Sequence, residues 1–399
     1  MRSFFPIVFA AVVILVLGFA EVLLLRLLNQ PWWNKKSIRR ASLGLPLFGA
    51  VMVTLWAWGV YHSVGWLSLG AAVAVALAMV LEFALMLSLP VSGIIHQVMR
   101  LIDYWVKRRR AGERDRPVDE HRRLFLKGAA AAVPAVTVGM AVTGVGWAFA
   151  SPKVFRHPIS ISRLPSPLEG FRILQLSDLH LGRYVTLDHL VDVIGRVREY
   201  KPRMVMVTGD VADDLDLLPD ALDLIAGIGA PLGAFACLGN HEYFRGIQQV
   251  RRIFADSPVR LLINEGVRVF LDGVTLFIGG VDDPRVMGES HDRFFESTIG
   301  ITLQERVGDD FTLLMSHRPD ALNEASLRNI RLTLSGHTHG GQIGVFGRSL
   351  FENYSPESYL WGDYQRGESH LYTTAGFGHW FPFRLGCPAE APIIELVSD

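Results

Sequence analysis

The chain has 399 residues, and its 39 Lys and Arg balance 39 Asp and Glu, for a formal net charge of zero. Without an overall excess of positive charge, nucleic-acid binding has little support. Two cysteines, Cys237 and Cys387, exclude a disulfide scaffold or a Cys-rich zinc site.

Neutrality hides an uneven distribution, because the first 150 residues are mostly either apolar or basic. Spanning a bilayer as a helix takes about 20 apolar residues, and the segments 5–28, 43–64 and 67–89 are long enough. A fourth, 128–149, is richer in Ala and Gly and contains Pro134, which membrane helices tolerate better than soluble ones. Lys35, Lys36, Arg39 and Arg40 follow the first segment, and Lys107, Arg108, Arg109, Arg110, Arg114 and Arg116 follow the third. The positive-inside rule makes both stretches cytoplasmic, so the fourth segment leads outward and everything after Ser151 is extracytoplasmic. Arg122-Arg123-Leu124-Phe125-Leu126-Lys127 resembles a twin-arginine export signal, which implies a translocase as partner. Ala148-Phe149-Ala150 has the form of a signal-peptidase site, so the sequence permits either a tethered or a released domain. Glu21 and Glu82 fall inside predicted spans, where charge is costly.

From residue 171 the pattern changes to apolar strands alternating with helix-length stretches, the mark of an α/β architecture. Strands are expected at 172–176, 204–208, 233–238, 311–315, 332–334 and 392–397, and helices at 187–200 and 215–228. Asp272-Gly273 between two apolar runs predicts a hairpin with a type I′ turn. Polar residues cluster just past the strand ends, where open α/β sheets place their ligands. They are Asp178 and His180, then Asp210, then Asn240-His241-Glu242, then His317, then His337 and His339. Asp178, Asp210, Asn240 and His317 alone read as turn residues or helix caps, whereas His337 and His339 would share one face of an extended strand, as ligands do; together the residues form a mixed carboxylate, amide and imidazole set suited to divalent cations.

In order and spacing these segments (D-x-H, G-D, G-N-H-E, S-H and S-G-H-T-H-G-G-Q) resemble the calcineurin-like metallophosphoesterase superfamily, and its bacterial membrane-associated branch in particular. Arg384-Leu385-Gly386-Cys387-Pro388 adds to that likeness. The apolar and basic segments make residues 1–150 a membrane region, and the resemblance implies residues 151–399 as the catalytic domain, a two-sheet β-sandwich flanked by helices. It further implies a dinuclear site, with Asp178, His180 and His339 on one metal, Asn240, His317 and His337 on the other, and Asp210 bridging. A bridging hydroxide would attack phosphorus, and His241, oriented by Asp213 or its neighbour Asp214, would stabilise charge or protonate the leaving alcohol. An oxygen and nitrogen ligand set favours manganese, iron or zinc. The expected activity is hydrolysis of a phosphodiester or a pyrophosphate-containing lipid or nucleotide at the cytoplasmic membrane. The alternatives are a broad-specificity phosphomonoesterase and a non-catalytic membrane sensor or transporter with a degenerate domain. Glu242 reads as a solvated carboxylate at a helix start, and Gln342 and Arg183 as softer phosphate contacts.

Overall fold

The structure is a computed structural model and describes residues 5–109, 120–285, 291–308, 310–354 and 359–399. The basic residues Arg110, Arg114 and Arg116 lie outside the described residues. Contacts divide the chain into two compact units, Met1–Gly146 and Trp147–Asp399.

The first unit is helical. It comprises α1 (Phe5–Leu28), the single turn α2 (Gln30–Trp33), α3 (Lys36–Tyr61), α4 (Gly65–Arg109) and α5 (Glu120–Ala148). Four of these, all but α2, are long and apolar enough to cross a membrane. Whereas the third apolar segment stops at Leu89 in the sequence pattern, α4 is 45 residues long and runs on to Arg109 with Pro90 inside it. The backbone groups a proline frees in a membrane helix find other partners. Asn29 bridges two helices: its amide donates to the Leu89 carbonyl at 2.8 Å and its oxygen meets His96 Nδ1 at 2.9 Å. Glu21 and Glu82 are both buried, and neither Glu82 oxygen has a hydrogen-bond partner.

The second unit is a sandwich of two six-stranded sheets with helices outside both. In chain order it contains β1 (Lys153–Ile161), β2 (Arg172–Leu176), α6 (Leu187–Val197), β3 (Met204–Thr208), α7 (Leu218–Ala226), β4 (Ala234–Cys237), α8 (Asn240–Ala255) and β5 (Arg260–Leu261). There follow β6 (Glu265–Leu271), β7 (Val274–Gly280), α9 (Asp292–Thr302), β8 (Phe311–Met315), α10 (Leu322–Leu327) and β9 (Leu332–Ser335). The last elements are β10 (Gly344–Val345), β11 (Arg348–Ser349), β12 (Gly362–Arg366), β13 (Ser369–Thr373) and β14 (Glu390–Ser398). One sheet runs β1-β14-β2-β3-β4-β5 and the other β12-β13-β9-β8-β7-β6, while β10 and β11 form a separate hairpin.

The strands carry apolar residues on both faces, as sheets covered on both sides require. Ile173, Met204, Met206 and Phe235 meet Ile278, Leu313, Met315 and Leu334 between the sheets. On the outer face of the first sheet Leu174, Val205, Val207 and Ala236 pack under Leu190, Val193, Leu222 and Val250 of α6, α7 and α8. Val281, Leu314, Ile299 and Ala325 do the same for the second sheet with α9 and α10. Asp272 and Gly273 both have positive φ (47° and 89°), as a type I′ turn demands. Parallel pairing aligns the C-terminal ends of β2, β3 and β4 in one sheet and of β8 and β9 in the other. The loops leaving those ends hold the polar residues singled out above.

Candidate metal centre

Each loop reaches the centre through backbone pairing. Asp178 N donates to the Gly209 carbonyl at 3.0 Å, His180 N to the Asp210 carbonyl at 3.1 Å, and Gly336 N to the His317 carbonyl at 3.0 Å. The turns are sharp. Asp178, His180, Asp210, His337 and His339, five of the seven candidate ligands, have φ between 47° and 70°. That left-handed region is uncommon for residues with a Cβ, and strained backbone of this kind concentrates at functional sites. Gly209, at φ 84°, lets β3 pass tight against the next loop: a Cβ there would lie 2.6 Å from Gly239 N.

The side chains then converge. His180 Nε2 lies 3.1 Å from His339 Nε2, 3.9 Å from Asp178 Oδ1 and 3.7 Å from Asp210 Oδ2. His339 Nε2 lies 3.4 Å from Asp178 Oδ1. On the other side of Asp210, Oδ2 is 3.3 Å from His317 Nε2, which is itself 3.2 Å from His337 Nδ1. Asn240 is buried beside this group, with its Oδ1 lacking a hydrogen-bond partner. Asp178, His180 and His339 form one cluster with metal-ligand spacing, and Asp178, Asp210 and His317 form another.

These donors fit divalent cations. Two buried carboxylates face imidazoles, and the ring nitrogens of His180 and His339 and of His317 and His337 lie 3.1 and 3.2 Å apart, a donor set suited to divalent cations. His317 Nδ1 donates to the Thr208 carbonyl at 2.7 Å, which leaves Nε2 as the nitrogen turned toward the centre. Burial raises the Asp210 carboxyl, but the His317 charge and hydrogen bond prevail and hold it well below the usual carboxylate range. Burial likewise opposes charge on His317, yet Asp210 beside it pushes that imidazole up to about 10. The pocket thus demands positive charge, and cations would supply it directly.

Beside the cluster, His241 Nδ1 bonds Asp213 Oδ1 at 2.6 Å. Asp213 is therefore the histidine's partner, while Asp214 is occupied in accepting from Asp216 N at 3.3 Å. The same Asp213 oxygen accepts from Arg245 Nη2 at 2.9 Å, and Oδ2 lies 3.5 Å from His180 Nδ1. Burial raises the Asp213 carboxyl, but the hydrogen bonds from His180 and His241 outweigh it and keep it well below the usual range. Arg245 was not legible as a site residue, although its place four residues after His241 puts both on one helix face.

Two further residues acquire roles that the sequence did not disclose. Glu242, expected to be solvated, is buried and accepts from three backbone amides: Asp210 N at 3.0 Å, Val211 N at 2.8 Å and Gly239 N at 2.7 Å. It ties the loop after β4 to the loop after β3. Arg384 is fully buried and donates to the carbonyls of Ala375, Gly376 and Gly378 at 2.9, 3.2 and 2.7 Å. The segment it holds backs the centre, since Gly378 N donates to the Asp178 carbonyl at 2.7 Å. Of the softer candidates, Gln342 directs its amide to the Phe381 carbonyl at 3.2 Å, and Arg183 is exposed.

Comparison with known proteins agrees with this arrangement. A family model described as Calcineurin-like phosphoesterase matches residues 171–341. The chain is 32% identical over 291 residues to an uncharacterized metallophosphoesterase, YkuE, of Bacillus subtilis, covering 69% of this chain and 98% of that protein. It is 28% identical over 287 residues to the phosphodiesterase YaeI of Escherichia coli, covering 69% and 99%. A zebrafish (Danio rerio) transmembrane protein with metallophosphoesterase domain is 28% identical over 274 residues, covering 65% and 61%.

Proposed function

The chain belongs to the calcineurin-like metallophosphoesterase family, and on that premise we propose that it is a dinuclear phosphoesterase acting on a phosphodiester or pyrophosphate linkage. The observation that carries the proposal is the convergence of six donors from four loops, Asp178, His180, Asp210, His317, His337 and His339, five of them in left-handed backbone. Asp178, His180 and His339 would hold one cation, Asn240, His317 and His337 the other, with Asp210 shared. Manganese, iron or zinc so held would neutralise phosphoryl charge and make water nucleophilic near neutral pH.

The chain's own residues do the rest. With Nδ1–H committed to Asp213, His241 would turn Nε2 toward the leaving oxygen, and the doubly protonated ring would give up its Nε2 proton there and return to the neutral form. Asp213 stays ionised, fixing the ring's orientation, and Arg245 holds the carboxylate in place. Glu242 fixes the spacing of the Asp210 and Asn240 loops.

The apolar helices anchor the protein in the cytoplasmic membrane. The basic residues from Lys35 to Arg40 and from Lys107 to Arg116 lie on the cytoplasmic side, so residues 151–399 are extracytoplasmic. The twin-arginine-like run Arg122–Lys127, here the first turns of α5, assigns export to the translocase that carries folded proteins. A C-terminal reporter fusion active in the cytoplasm would refute that topology.

The full chain with added Mn²⁺ should hydrolyse bis(p-nitrophenyl) phosphate. Asp210→Asn should lower that rate at least about a hundredfold, the scale of removing one charge-stabilising group. Asparagine tolerates φ near 54°, so the fold should survive the substitution. A wild type inactive with every metal and ester tried would refute the assignment.

A further inference from the structure

Large apolar side chains of the second unit are mostly buried, and a conspicuous exception adjoins the candidate metal centre. The hairpin β10–β11 begins two residues after the turn that contains His339 and Gln342. Its tip is Phe346-Gly347, with φ of 53° and 78°, the geometry of a type I′ turn. Such turns favour Asn or Gly, and a bulky residue there is a true outlier. Phe346 nevertheless occupies the strained position with its ring fully exposed. Val345, Leu350, Phe351 and Tyr354 around it are exposed as well, and so is Trp380. Neither folding nor local conformation accounts for a phenylalanine there, so the compensating contact lies outside the unit.

The patch is continuous with the metal-binding loop. A Cβ on Gly341 would come within 2.9 Å of the Phe351 ring. Gln342 Nε2 donates to the carbonyl of Phe381, whose ring packs on Trp380 with centroids 5.9 Å apart. The unit's own first residues lie on the same edge, because Phe149 packs against His379, the neighbour of Trp380, at 5.7 Å. Exposed Arg348 stands within the hairpin, its guanidinium 5.0 Å over the Tyr364 ring. Aromatic rings with an interspersed cation are the composition of a membrane-interface belt. Four helices among the described residues are long and apolar enough to cross a membrane, so a lipid surface is at hand.

We propose that the Phe346 hairpin and Trp380 form an interfacial anchor that seats on a lipid surface, so that the metal centre draws its phosphate ester from that surface. The second clause rests on the phosphoesterase reading, whereas the first does not. An amphiphilic substrate would leave its apolar chains against the aromatic patch while its headgroup enters the centre.

The native cysteines make the test clean. Both are buried, and burial pushes the Cys237 thiol well up and the Cys387 thiol up to about 12, so neither reacts with a thiol probe. Phe346→Cys can then be labelled alone with an environment-sensitive fluorophore in the full chain, reconstituted in phosphatidylethanolamine–phosphatidylglycerol vesicles. Phe270→Cys serves as control, being exposed on β6 at the opposite strand ends. A label at 346 should emit at shorter wavelength and be quenched by doxyl lipid several times more strongly than one at 270. No shift at 346, or equal quenching at both positions, overturns the anchor. Phe346→Ser should lower the ratio of vesicle-borne to soluble ester turnover about tenfold, the factor carried by one large apolar side chain. An unchanged ratio overturns delivery from the surface. A wild type that cleaves neither ester refutes the phosphoesterase reading and with it delivery from the surface, while the labelling result still decides the anchor.

Discussion

Along α1, Phe5, Val8, Phe9, Leu15 and Phe19 point outward, while Glu21 on the same helix is buried. In Trp147–Asp399 the arrangement is reversed: apolar strands fill two internal layers, and buried Asp178, Asp210, Glu242 and Arg384 all face partners. The contrast reflects two solvents. A helix in hydrocarbon gains nothing by hiding leucine and satisfies its backbone internally. A water-facing sandwich must bury its apolar strands and can bury charge only where it is paired. The hairpin at Phe346 matters because it follows the first rule inside a unit otherwise built on the second.

Stability experiments that read each unit separately, such as hydrogen exchange on the full chain, can break or sharpen this contrast. Arg384→Met should have the largest effect, loosening β2 and β14 by about 3–5 kcal/mol, because it strips the donors from several buried carbonyls. Exchange in α1 and α3 should not change. Removing metal with a chelator should come next. Cations bound only to the folded sandwich stabilise it by about 3 kcal/mol when present at a hundred times their dissociation constant. Protection should fall in β3 and β9, recover with Mn²⁺, and stay constant in the helices; a response in both units would contradict the division. Glu242→Ala should cost about 2 kcal/mol by leaving three buried amides without their acceptor. Glu242→Gln should recover part of that loss. Smallest of all, Glu82→Leu should leave the helical unit unchanged or more stable by about 1 kcal/mol, since both carboxylate oxygens lack partners. If this substitution instead destabilises the helices, Glu82 has a contact in the membrane and the contrast is incomplete.

The legible part of the structure was the part in which one rule decides. Strands β2, β3, β8 and β9 are short apolar runs ended by Asp, His and Gly, so both their extent and the loops after them could be read directly. Strand β12, Gly362–Arg366, has no apolar run, since it lies at a sheet edge with mostly exposed residues, and it gave no signal. The end of α4 was misplaced because apolarity fades after Leu89 while helix-forming residues continue. Within the centre, residue type and spacing pointed to the candidate ligands, which the fold brings together. The same clues could not reveal Glu242 as a three-amide acceptor or Arg384 as a strap. Those roles depend on which loops cross over them, a property of the tertiary arrangement rather than of neighbouring residues.

Strand β14 lies between β1 and β2, pairing in parallel with β1 from Lys153↔Glu390 to Ile161↔Ser398 and antiparallel with β2. The first strand of the sandwich is therefore separated from the rest of its sheet until residues 390–398 have been synthesised. Residues 390–398 must therefore leave the ribosome before that sheet can close, and the pairing is of high contact order. Nascent chains stalled before Glu390 should remain protease-sensitive throughout the sandwich, even with β2, β3 and β4 complete.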